Sequence, residues 1–75
     1  MSYTKQIFAE RLKNQLVTGY DVVRIARWAY NEFTTNCREL EPGLKSEMMR
    51  IIVMEEGPEF EMTEQEMQEF VRSLS

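Results

Sequence analysis

Four carboxylates surround one aromatic ring in the run Glu55-Glu56-Gly57-Pro58-Glu59-Phe60-Glu61-Met62. Residues of these types can do three things. A carboxylate pair can share general acid and base work. An oxygen-rich cluster can hold a hard cation such as calcium. An aromatic anchor ringed by acid can meet a basic protein surface, the ring supplying contact and the charges supplying steering. Against the first, glutamate runs of this kind are mostly solvated surface. Against the second, the ligand spacing does not match the EF-hand loop. The third makes Glu55, Glu56, Glu59, Phe60 and Glu61 candidate partner-binding residues. A plainer placement competes with it, in which Phe60 and Met62 plug one end of the fold while the glutamates face water. The plainer placement is favoured for Phe60, because a small bundle needs its large apolar residues inside.

Other chemistry has few residues to work with. The chain contains no histidine, so neither a Ser-His nor a Cys-His nucleophile pair can be assembled. Its three glycines are isolated and form no phosphate-cradling loop. One cysteine, Cys37, allows no internal disulfide and, without histidine, almost no structural zinc site. It sits on an apolar helical arc and reads as a small core residue. A non-enzymatic protein without cofactor or metal is expected.

Trp28 is a second candidate contact. It lies on a polar helix face four residues from Arg24, as an exposed cation–π partner or interface anchor would. The plainer reading, a tryptophan covering the edge of the core under a neighbouring segment, is favoured. The same stretch supports an alternative function. Leu16-Val17-Thr18-Gly19-Tyr20-Asp21 has a helix–glycine turn–helix rhythm. The helix that follows would display Arg24, Arg27 and Asn31 outward, side chains suited to phosphates and base edges.

Charge is divided unevenly along the chain. Residues 1–37 carry five cations and three anions, residues 38–75 four cations and ten anions, for a net charge of −4. The acidic half would repel nucleic acid unless turned away, so nucleic acid is an unlikely partner and a basic protein surface a better one. No apolar run approaches the roughly 20 residues that span a bilayer. The N-terminus does not read as a secretory segment, and one unpaired cysteine with six methionines suits a reducing cytoplasm.

Four helical segments must position these residues. The first, from about Thr4 to Val17, carries Phe8, Leu12 and Leu16 as a stripe, with Gly19 placed to stop it. The second begins at an Asp21 N-cap and puts Val22, Val23, Ile25, Ala26, Ala29, Tyr30, Phe33 and Cys37 in one arc of roughly 160°. The third, about Leu44 to Glu55, contains the nearly continuous apolar run Met48–Met54. As a strand its Ile-Ile-Val core would be natural. Helix-forming flanks and the lack of a second strand favour a helix, hydrophobic on most sides and hence buried or self-associating through residues 48–54. Gly57-Pro58 ends it. The fourth opens on a capping box, Thr63-Glu64-Gln65-Glu66, with Met62 and Met67 as a hydrophobic staple and Met67, Phe70, Val71 and Leu74 as its stripe. The expected fold is all-α, a compact bundle of four short helices in one domain over residues 1–75. The leading functional expectation is a small protein–protein interaction module whose acidic half meets a basic surface, in the manner of an inhibitor or immunity protein. A helix-turn-helix nucleic-acid binder and a self-associating structural protein are the alternatives.

Overall fold

Local cap chemistry sets three of the helix starts. The computed structural model describes residues 2–74. Thr4 Oγ1 accepts the Ile7 amide at 3.1 Å and opens α1, Lys5–Leu16. Asp21 Oδ1 accepts the Arg24 amide at 3.1 Å and opens α2, Val22–Asn36. Helix α3, Leu44–Ile52, instead follows Gly43, whose φ of 90° is left-handed and suits glycine. The capping box forms in both directions before α4, Glu64–Leu74. The Thr63 amide donates to Glu66 Oε1 at 2.8 Å, and the Glu66 amide donates to Thr63 Oγ1 at 3.1 Å.

The fold is all-α. Among the described residues the only extended pairing is an isolated parallel bridge between Tyr3 and Leu40. Its bonds run from the Tyr3 amide to the Glu39 carbonyl at 2.7 Å and from the Glu41 amide to the Tyr3 carbonyl at 2.8 Å. They tie the N-terminal segment to the α2–α3 connection. The Tyr3 ring is buried, and its hydroxyl donates to Glu32 Oε1 at 3.0 Å. Arg11 donates to the same oxygen at 2.9 Å, so one carboxylate on α2 gathers two groups from the N-terminal third. Burial, then the neighbouring Glu32, pushes the Tyr3 phenol well above its ordinary range.

Helix α2 packs on α3 and on the turn after it, and α1 packs on α4. Between them lies one cluster that includes Phe8 and Leu12 of α1, Ile25 and Ala29 of α2, Leu44, Met48 and Ile51 of α3, and Met67, Phe70, Val71 and Leu74 of α4. The expected α4 stripe is therefore buried in full, and Met62 of the staple packs against the same cluster.

Two expectations are corrected. The third helix ends at Ile52 and tightens into a 3₁₀ turn, Val53–Glu56, rather than running to Glu55 as an α-helix. Nor is it apolar all round. Met48, Ile51 and Met54 are buried, but Met49 is 38% exposed, and Arg50 lies outside with its guanidinium 5.1 Å from the centre of the Phe70 ring. The side chains of 48–54 thus divide between core and solvent, and most of the apolar run is used within the chain.

The second correction is a rotation of α2. Its buried residues, Ile25, Ala26 and Ala29, fall inside the expected arc, but the half-buried ones extend that side past Ile25 to Glu32 and Trp28 and not to Tyr30 and Val23. The physical cause is Phe8 of α1, whose ring lies nearly parallel to the Trp28 indole, 9° apart with centroids at 5.4 Å. Turning α2 onto this stack brings Trp28 into the core rim and carries the far edge of the arc out. Val23 and Tyr30 are exposed in consequence, and so is Cys37, which caps the helix end and is not a core residue.

Candidate partner-binding surface

The acidic segment is held at both ends and free in the middle. Met54, buried, is its first anchor, and its sulfur accepts the Met62 amide at 3.5 Å. Tyr20, between α1 and α2, donates its hydroxyl to the Met62 carbonyl at 2.6 Å and lies 3.6 Å from the same sulfur. Burial, together with Glu61 and Glu66 nearby, raises the pKa of the Tyr20 phenol, so this donor keeps its proton. Between the anchors the chain makes a second 3₁₀ turn, Pro58–Phe60, closed by Phe60 amide to Gly57 carbonyl at 3.1 Å and Glu61 amide to Pro58 carbonyl at 3.2 Å. A Cβ at Gly57 would sit 2.9 Å from the Glu59 carboxylate, so the turn is tight against its own acid.

On this short scaffold Phe60 is 48% exposed, which overturns its expected role as a plug of the bundle end. Met54 lies in the core and Met62 packs against it, while Phe60 is left outside. Glu55, Glu56, Glu59 and Glu61 are all exposed around it. Among the described residues no three acidic, histidine or cysteine side chains are gathered closely enough to hold a metal ion. What the segment offers chemically is a ring in water with carboxylates on both sides along the chain.

The remaining candidates lie elsewhere. Trp28 is half-buried and faces Phe8, about 100° around α2 from Arg27, which touches the acidic segment. Arg24 makes no stack with it among the described contacts. Its guanidinium donates to the Gln15 side chain at 2.9 Å, the Gln15 carbonyl at 2.9 Å and the Gly19 carbonyl at 2.7 Å. These bonds close the C-terminal end of α1, where carbonyls lack helical partners and attract cations. Arg27 Nε donates to Glu55 Oε1 at 3.0 Å, joining the basic half of the chain to the acidic half. Asn31 is exposed. Two of the three residues suited to phosphates and bases are thus engaged within the protein.

A groove missed in the sequence lies beside the Arg27–Glu55 pair. It is lined by Arg27, Tyr30, Ile52, Glu55 and Glu56 and has a volume of about 320 Å³. Tyr30 falls within the expected apolar arc of α2, so its position on the outer face carries no separate signal in the sequence. No helix among the described residues is long and apolar enough to cross a membrane. No protein-family model, curated protein or solved structure matches the chain.

Proposed function

We propose that this protein is a non-catalytic interaction module whose acidic segment docks on a basic surface of another protein. The observation that carries the reading is Phe60, 48% exposed on a turn anchored at both ends and flanked by exposed glutamates. A ring held in water by a fixed scaffold loses little freedom on binding and can enter a partner pocket. The carboxylates add long-range attraction, which accelerates encounter more at low salt than at high. A concrete version is an inhibitor or immunity-like protein that covers the basic site of a nucleic-acid-binding enzyme. An exposed, unpaired Cys37 fits a reducing, cytoplasmic setting.

The alternatives draw less support. A nucleic-acid role through Arg24 and Arg27 would require guanidiniums already bonded to Gln15, Gly19 and Glu55 to be released. Self-association through residues 48–54 would rest on a surface reduced to Met49 and the partly buried Ile52 and Val53.

The test is capture from native cell extract on immobilised protein with elution by rising salt, repeated with Glu59→Lys combined with Glu61→Lys. The expected result is a partner retained by the native chain, eluted by salt and lost with the double variant. Phe60→Ala should act mainly by raising the dissociation rate. Capture unaffected by the charge reversals would sink the proposal. So would specific DNA or RNA binding that Arg24→Ala with Arg27→Ala abolishes.

A further inference from the structure

The groove beside the acidic turn has the chemistry to recognise one kind of side chain. Tyr30 lines it, 57% exposed, its side chain without a hydrogen bond or ring contact among the described residues. The half-buried Ile52 adds apolar lining, and the exposed Glu55 and Glu56 add acid. The groove's own cation, Arg27, is already paired with Glu55 at 3.0 Å. Glu56 has no ion pair among the described residues, so the groove keeps an unmatched negative charge next to a bare aromatic face.

We propose that this groove receives an arginine side chain of the basic partner, its guanidinium lying on the Tyr30 ring and pairing with Glu56. This rests on the reading of the acidic segment as a docking surface and names what that surface selects. Arginine suits the site better than lysine. Its planar head stacks on an aromatic face, is weakly hydrated and meets a carboxylate through two parallel donors, whereas an ammonium is a compact and strongly hydrated point charge. Arg27 and Glu55 already make one guanidinium–carboxylate bond, Nε to Oε1, in the same groove.

The experiment follows backbone amide shifts of the full chain during titration with a short arginine–alanine peptide and with its lysine counterpart. The expected result is saturable change at Tyr30, Ile52, Glu55 and Glu56, with the arginine peptide bound more tightly. Tyr30→Ala and Glu56→Gln, both at exposed positions, should each weaken it by about three- to tenfold. Equal binding of the two peptides, or binding indifferent to Tyr30→Ala, overturns the proposal. If binding is lost with Phe60→Ala but not with Tyr30→Ala, the groove is wrong while the acidic docking surface stands. If neither peptide binds at low salt, both fall.

Discussion

The Tyr20 hydroxyl and the Met62 carbonyl, 42 positions apart in the chain, are joined by a 2.6 Å hydrogen bond. That bond connects the turn between α1 and α2 to the strap that carries Phe60, and it closes next to the Met54 sulfur. Stability and the candidate binding surface therefore share a residue. Tyr20→Phe keeps the ring and removes the donor, leaving a carbonyl unsatisfied at a partly buried place. The expected cost is about 1–2 kcal/mol in urea unfolding. Amide exchange should quicken at Glu61 and Met62 more than in α2. An unchanged urea midpoint with unchanged exchange would show that the strap is held by Met54 alone.

Two tyrosines make stability sensitive to alkaline pH. Tyr3 and Tyr20 both have pKa values raised by burial and by neighbouring glutamates above the ordinary value of 10.0. Below pH 10 both phenols are neutral in the folded and unfolded chains, and their contribution to stability is fully present. Above it the unfolded chain ionises first while the folded chain still holds its protons, so stability falls as pH rises toward the folded values. Urea midpoints should therefore decline above about pH 10. The decline should be shallower in Tyr3→Phe and in Tyr20→Phe, each compared with its own midpoint at neutral pH.

The reciprocal bonds of Thr63 and Glu66 make the start of α4 separable from its packing. Thr63→Ala removes one of the two bonds and should cost about 1 kcal/mol. Glu66→Gln keeps an acceptor for the Thr63 amide and should cost less than Glu66→Ala. Urea titrations of the three variants check the order. A Thr63→Ala midpoint equal to that of the native chain would place the start of α4 elsewhere.

The capping box was legible because its chemistry lies within four consecutive residues and needs no neighbour. The stripe of α4 was legible for a related reason: it is narrow, so only one rotation of the helix buries it. Helix α2 is the opposite case. Its apolar residues span an arc so wide that several rotations bury a reasonable set. The choice fell to Phe8, a residue of another helix, which selected Trp28 over Tyr30 and Val23. The end of α3 was obscure on similar grounds. Nothing local marks Ile52 as the last α-helical residue, because the tighter turn that follows is held by Met54 and its distant contacts with Tyr20 and Met62. The candidate site inherited both uncertainties. The acidic run was plain in the sequence. Whether Phe60 stood in water depended on which methionines already filled the bundle end, and the groove depended on the rotation of α2.

That rotation can be tested by comparing two aromatic residues of one helix. Trp28 stacks on Phe8 at the core rim, whereas Tyr30 stands in water. Trp28→Ala should cost about 2–3 kcal/mol, reduced from a fully buried site by its remaining exposure. Tyr30→Ala should stay within about 0.5 kcal/mol. Thermal or urea unfolding distinguishes them, and equal costs would contradict the rotation.

The apolar run of residues 48–54 contains its own internal control. Met54 is 1% exposed and Met49 is 38% exposed, although both are methionines within six positions of each other. A lysine at Met54 would place an ammonium stem in the core that Met54 shares with Met48, Ile51 and Met67, and would displace the sulfur that lies between Tyr20 and Met62. Burying an unpaired charge costs about 3–5 kcal/mol. A domain this small has on the order of that much stability in total, so Met54→Lys should be unfolded in buffer by circular dichroism. A lysine at Met49 would extend into water beside Arg50 and should shift stability by less than about 0.5 kcal/mol. The pair also bears on self-association. If the run were an interface between copies, Met49→Lys would change the sedimentation behaviour of the native chain. The expected result is the same sedimentation before and after, with loss of fold confined to Met54→Lys. A folded Met54→Lys protein would mean that the core does not extend to the turn on which the acidic surface is built.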